Sequence, residues 1–243
     1  VDRGFLALGA EVYRLRCIPC HGVNGNGKGI HAARLAVPAR NFTKGVYAFR
    51  STPTGTLPTD LDLFRTVSQG VHGTAMIPWN WLGDGERWAV VEHVKSFSPR
   101  FREEGAGDPV VVPPAPAETP ALVALGAVAW ARNGCGKCHG ETGEGDGPSA
   151  PTLRRDGGSP IRSLPFSTGR FLRGSSLPDL WLTLATGLDG TPMPSYAAVP
   201  PEELWALSAW VRARAGLGGG APAGTLAPDA EEQMGWRIDI EER

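Results

Sequence analysis

The chain of 243 residues carries no excess of charge: 24 Lys and Arg stand against 25 Asp and Glu, a formal net charge of −1. So balanced a chain lacks the basic footprint that a nucleic-acid backbone requires, and no RNA- or DNA-binding motif occurs in it. Long apolar runs are missing as well. The longest, ALVALGAVAWA at 121–131, falls short of the ~20 residues needed to cross a bilayer and ends at Arg132, so no transmembrane segment is expected. The opening VDRGFLAL has no basic stretch followed by a long apolar core, so no signal peptide is read there; either the numbering begins at a mature protein or an anchor has been removed. No apolar/polar alternation runs long enough to argue a strand. Cysteine, histidine and methionine are scarce, at four, five and three. Glycine and proline are plentiful, at 33 and 22, a loop-rich composition that stays short of disorder.

All four cysteines fall in two copies of one word, CIPCH at 17–21 and CGKCH at 135–139. When the chain is slid along itself by about half its length, the rest follows. Gly9 and Tyr13 land on Gly126 and Trp130, Phe64 and Gly70 on Trp181 and Gly187, and Trp88 on Trp205. GTAM at 73–76 lands on GTPM at 190–193. The sequence is thus two homologous units, 1–103 and 121–215, joined by a Pro-rich, semi-extended linker at 104–120 and followed by an acidic tail at 216–243 that reads as flexible. Charge is uneven along it: the formal net values are +5, +1, −3 and −4 for first unit, second unit, linker and tail. The basic first unit could steer an acidic partner, although an ordinary solvated surface is the simpler reading.

Each unit reads as all-α. In FLALGAEVYRL the residues Phe5, Leu8, Gly9 and Val12 share one helical face. Thr119 followed by Pro120 is a helix start, with the cap and then proline at the first position. TDLDLFRTVSQG and SLPDLWLTLATG each open on a capping residue with Asp three positions on, and each closes on a glycine, Gly70 or Gly187. The last helices, GERWAVVEHVKSF and PEELWALSAWVRA, align Val90, Val94 and Phe97, or Leu204, Leu207 and Val211.

Four cysteines admit several chemistries. A disulfide inside each pair would close a tiny loop and leave both histidines unexplained. Zinc sites set two Cys pairs some 12–20 residues apart, whereas these lie in separate units. A redox dithiol needs a βαβ setting that a helical chain does not offer. Cys-x-x-Cys-His is the attachment word for c-type haem: two thioether bonds hold the porphyrin, and the adjacent histidine binds the iron. Cys17, Cys20, Cys135 and Cys138 are therefore expected to hold two covalent haem c groups, with His21 and His139 as proximal ligands.

The repeat nominates the sixth ligands. Met76 and Met193 lie 55 and 54 residues after their histidines, each in a Gly-Thr-x-Met word with proline close behind. The third methionine, Met234, sits in the tail. A thioether completes the coordination and raises the reduction potential relative to a second imidazole. His72, four residues before Met76, is placed to compete for iron, but the equivalent residue in the second unit is Asp189. His31 aligns with Ser149, and His93 sits in the last helix of its unit facing Glu and Lys positions. Ordinary surface roles are expected for these three.

The words CIPCH with GTAMIPW and CGKCH with GTPMPSY, flanked by aromatic helices, resemble tandem class I cytochromes c, a dihaem family that includes cytochrome c4-like carriers. The likeness spans residues 4 to about 214. It implies that a Gly-x-x-x-aromatic on the first helix packs across an aromatic on the last, which assigns Gly9, Tyr13 and Trp88, and Gly126, Trp130 and Trp205. It implies a proline carbonyl behind each proximal histidine, with Pro38 and Pro151 as candidates, and Gly-rich loops matched by GVNGNGKG and GETGEGDG. Arg40, Asn41, Lys44, Arg162 and Arg170 could face haem propionates or be solvated loop residues. One departure is that the stretch from Phe42 to Met76 is seven residues longer than that from Phe166 to Met193.

The function implied is single-electron transfer through two His/Met-ligated haems, without a catalytic residue. The setting implied is a bacterial periplasm, possible membrane association through a partner or a missing anchor included. The partners implied are redox proteins or a membrane respiratory complex, and the chain would be either a shuttle or a complex subunit. The rival is a dihaem peroxidase-like enzyme with one exchangeable haem site, which both methionines argue against.

Overall fold

The computed structural model describes residues 2–218. The acidic tail expected from the sequence lies, from residue 219 onward, outside them, as does Met234. Nine α-helices and four short 3-10 turns occur among the described residues, with no strand beyond one isolated bridge between Arg154 and Pro160. The first unit contains α1 (Arg3–Arg16), α2 (Ile18–His21), α3 (Asp60–Gln69), α4 (Asp84–Lys95) and α5 (Arg100–Glu103). The second contains α6 (Pro120–Arg132), α7 (Gly136–His139), α8 (Leu177–Thr186) and α9 (Pro201–Arg214). No helix among the described residues is long and apolar enough to cross a membrane.

Local chemistry sets the helix ends. Thr59 and Ser176 cap α3 and α8 through full capping boxes with Asp62 and Asp179. Both helices stop at a glycine with positive φ, Gly70 at 68° and Gly187 at 65°. Thr119 caps α6 by accepting from the Leu122 N–H, with Pro120 at the first helical position.

In each unit the first and last long helices cross at a glycine. A β-carbon on Gly9 would stand 2.0 Å from the Ala89 carbonyl oxygen, and one on Gly126 would stand 2.1 Å from that of Ala206. Only glycine allows backbones so close. One turn further on, Trp130 stacks on Trp210 with centroids 4.3 Å apart. Tyr13 packs 5.0 Å from both His93 and Phe97. This corrects the expected partners, because Trp88 and Trp205 turn to the other side of their helix. Trp88 stacks on Phe64 at 4.1 Å and Trp205 lies 5.5 Å from Trp181, so they fasten α3 to α4 and α8 to α9. His93 likewise is half-buried among rings rather than facing charged residues.

Two apolar cores result, one around Tyr13, Phe42, Leu57 and Val91, the other around Trp130, Phe166, Leu207 and Trp210. The linker is irregular but tied at both ends. Gly107 and Val110 donate backbone hydrogen bonds to Leu57 and Ser51 of the first unit. Val110 and Val112 pack on the second core, and Glu118 pairs with the buried Arg212.

Candidate functional site

Each Cys-x-x-Cys-His word forms one short helix, α2 or α7, hung from the end of the long helix before it. The aromatic residue of that long helix anchors the chain just past the word: Tyr13 Oη donates to the Gly22 carbonyl at 2.9 Å, and Trp130 Nε1 to that of Gly140 at 3.2 Å. The loop then folds back on the word. Gly27 N–H reaches the His21 carbonyl and Gly145 N–H that of His139, both at 2.8 Å. A β-carbon on Gly29 or Gly147 would lie 2.3 Å or 2.4 Å from a carbonyl of the word helix, which is why these loops are glycine-rich.

None of the four cysteines is joined in a disulfide. Burial, with a smaller contribution from Cys20, pushes Cys17 up to about 12, and burial also raises Cys135. Thiols held protonated in this way do not behave as an exchanging dithiol, which needs a stabilised thiolate. Among the described residues no three His, Cys, Asp or Glu side chains converge as a metal-holding group, which also removes a closed zinc site.

Burial lowers the pKa of both His21 and His139, leaving neutral imidazoles suited to bind a metal. Each ring lies on a phenylalanine: His21 on Phe42 at 4.5 Å, His139 on Phe166 at 5.2 Å. The two differ behind the ring. His21 Nδ1 pairs with the Arg40 carbonyl at 3.1 Å, so Arg40 and not Pro38 supplies the acceptor. His139 Nδ1 is buried without a partner, and the Pro151 carbonyl is used instead by Arg154 Nη1 at 3.3 Å. In the first unit the loop behind the ring places the acceptor by its own turn geometry, independent of where proline falls, and in the second no carbonyl is brought to the ring nitrogen.

The methionine turns are built alike. Thr74 Oγ1 donates to the Val71 carbonyl at 2.8 Å and receives the Met76 N–H at 3.1 Å. Thr191 does the same with Leu188, at 2.7 Å, and with Met193, at 3.2 Å. The Met76 carbonyl closes the turn by accepting from Val71, and that of Met193 by accepting from Leu188. Three residues past each methionine, Trp79 and Tyr196 donate backbone hydrogen bonds to Val67 of α3 and Leu184 of α8. Tyr196 also stands beside the Cys135 thiol; burial first and that thiol second push its hydroxyl up to about 12. The second methionine turn is thereby brought against the second word.

The remaining expected residues divide. His31 and Ser149 occupy the same place, each just before a 3-10 turn. Exposed His72 sits on the first methionine turn, as Asp189 sits on the second. Asn41 is occupied locally, accepting from Thr43 N–H at 3.0 Å. Lys44, at the end of a 3-10 turn, and Arg162 and Arg170, on loops, all lie exposed. The Arg40 guanidinium makes no hydrogen bond among the described residues, and nearby Tyr47 carries a buried hydroxyl without a partner. Donors without an acceptor, two adjacent cysteines in each word and half-buried neutral imidazoles together fit an anionic, covalently held haem. Sequence reasoning missed Arg50, Thr54 and Arg173, which join the two units.

Fold and site together define a c-type cytochrome with two attachment words. The profile described as "Cytochrome c" matches residues 123–215, and that described as "Cytochrome C oxidase, cbb3-type, subunit III" matches residues 5–94. Among solved structures, a chain of the reducing HAO-like protein complex of Kuenenia stuttgartiensis is 42% identical. The match covers 85% of this chain and 95% of that one, with a TM-score of 0.83. No curated protein matches the chain. The chain belongs to the cytochrome c family: it is a dihaem cytochrome c, an electron carrier with two covalently bound haem c groups.

Proposed function

We propose that this protein is a two-centre electron relay with one redox unit at 1–103 and a second at 121–215. Cys17 and Cys20 hold the first haem, and His21 and Met76 are its axial ligands. Cys135 and Cys138 hold the second, with His139 and Met193. The observation that carries this reading is the pairing of two identical words with two methionine turns closed by the same Thr-centred hydrogen bonds. The bound haem supplies the one-electron chemistry. The chain keeps the imidazoles neutral and half-buried, holds each ring against a phenylalanine, and offers Arg40 and Tyr47 to an anionic propionate of the first haem.

A periplasmic setting fits a family whose domains are usually extracytoplasmic. The structural relative belongs to a redox complex, which favours a role as a complex subunit, or as a carrier serving one, over that of a free enzyme. The test is a haem count combined with ligand spectroscopy. Mass and alkaline pyridine spectra are expected to give two haems per chain. The red charge-transfer band that marks methionine on ferric iron is expected at full strength in the parent protein. It should fall by about half in Met76→Ala and again by about half in Met193→Ala, since the two units contribute alike. A full-strength band in either variant removes that methionine from the ligand set. Rapid peroxide turnover by the half-reduced protein would reinstate the peroxidase-like reading.

A further inference from the structure

The seven additional residues of the first unit all lie between Phe42 and the helix cap Thr59, since Thr59 to Met76 and Ser176 to Met193 are both steps of 17. That surplus does not loop into solvent. It carries Arg50, whose side chain is 0% exposed, into the second unit. Arg50 Nη2 donates to the Thr186 carbonyl at the end of α8 at 2.8 Å and to Asp189 Oδ1 at 2.9 Å. The rest of the guanidinium is held by the Tyr47 and Pro53 carbonyls, each at 3.1 Å. Asp189 in turn receives Thr54 Oγ1 at 2.7 Å and the Gly55 N–H at 2.8 Å. Its carboxylate is thus gripped by three donors from the other unit. Arg173 returns the contact by donating to the Arg50 carbonyl at 2.5 Å.

Asp189 stands on the turn that ends at Met193, one residue past Leu188, whose N–H closes that turn on the Met193 carbonyl. The equivalent turn in the first unit carries exposed His72 at this place and has no such grip among the described residues. A methionine stays on iron only as long as its loop stays in place, so a clamp on one turn and not the other makes the two centres unequal. We propose that Arg50 and Asp189 are positioning residues for the second redox centre, with the first unit clamping the turn that presents Met193. The inference rests on the reading of Met193 as a ligand. It adds that the hold on this ligand is set across the junction between units.

Imidazole competition on the oxidised, haem-loaded chain tests it, because added imidazole displaces methionine and bleaches the red charge-transfer band. The parent protein should lose the band in two phases, the Met76 phase at lower imidazole, each phase assigned by its absence in Met76→Ala or Met193→Ala. Arg50→Met, similar in length but uncharged, and Asp189→Asn should each move the Met193 phase about tenfold or more toward lower imidazole, since the first removes the guanidinium that faces Asp189 and the second leaves the buried Arg50 charge without its carboxylate. The Met76 phase should stay in place. Thr54→Val, which removes one hydrogen bond and no charge, should shift the Met193 phase in the same direction by about threefold, and it serves if the charge variants do not fold. Both phases moving together, or neither moving in any of these variants, overturns the clamp. A band left whole in Met193→Ala overturns the ligand reading itself, an outcome distinct from failure of the clamp.

Discussion

The His21 ring lies on the Phe42 ring with centroids 4.5 Å apart and planes only 20° apart, and His139 lies on Phe166 in nearly the same way, at 5.2 Å and 27°. The phenylalanine is fixed from behind. Its N–H donates to a loop glycine, Phe42 to Gly25 at 2.7 Å and Phe166 to Gly143 at 2.8 Å. The loop that follows each word therefore sets the plane of its histidine.

Phe42→Leu and Phe166→Leu should each keep the haem attached, because the thiols are untouched. Each should cost roughly 1–2 kcal/mol for the lost ring volume and stacking. Denaturant titration of the haem-loaded protein measures this. A cost within error for both would mean that the stacking is incidental.

Gly9→Ala and Gly126→Ala should be more damaging. The new β-carbon would lie about 2 Å from a backbone carbonyl, which no side-chain movement relieves. The long helices must separate, at a cost of about 3 kcal/mol. Thermal melts should show a drop of more than about 10 °C in the affected unit. An unchanged melt would show that the crossing is looser than these contacts require.

Much of this architecture was legible because its signals are local. A capping threonine or serine with aspartate three residues on, a proline after Thr119, and a glycine at each helix end are read within a few positions, and Thr59, Ser176, Thr119, Gly70 and Gly187 all behave as read. Self-comparison also located equivalent residues, since Trp88 and Trp205 do perform one role. It could not tell which role. Positions 88 and 93 lie roughly 140° apart around one helix, and in the first unit the crossing position holds a histidine, so an aromatic search settles on the wrong face. The acceptor for His21 was missed by two residues because a carbonyl is available at every position and only the turn chooses among them. Arg50 was invisible for a different reason. It lies in the surplus stretch, which has no internal counterpart, and its partners are more than 130 positions away.

His93 makes stability depend on pH. Burial among Tyr13 and Phe97 lowers its pKa in the folded protein. Below the ordinary imidazole value of 6.5 the unfolded chain takes up a proton before the folded chain does. This contribution is therefore complete above that pH and is lost as the pH falls from there toward the lower folded value. The equivalent position in the second unit holds Trp210, so an aromatic replacement fits the crossing. His93→Phe should flatten the fall in denaturant midpoint between about pH 7.5 and pH 5.5 relative to the parent. An identical slope in the two proteins would assign the pH dependence elsewhere.

Asp62 and Asp179 occupy the same capping-box position, yet they should not be equally replaceable. Asp179 serves its own helix, taking the Ser176 N–H at 3.2 Å and the Ser176 hydroxyl. Asp62 does this for Thr59 and also receives the Ser51 N–H and hydroxyl, both at 2.8 Å, while its other oxygen faces Arg173 of the second unit at 3.4 Å. Losing the carboxylate at 179 removes a cap, worth roughly 1 kcal/mol. Losing it at 62 also strands half-buried donors and weakens the pairing of the Arg173 charge, for a total on the order of 3 kcal/mol. Asp62→Ala should accordingly unfold at distinctly lower denaturant than Asp179→Ala. Asp62→Asn, which keeps one acceptor oxygen, should fall between Asp62→Ala and the parent protein. Equal midpoints for the two alanine variants would mean that the first-unit carboxylate, for all its partners, contributes no more than a helix cap.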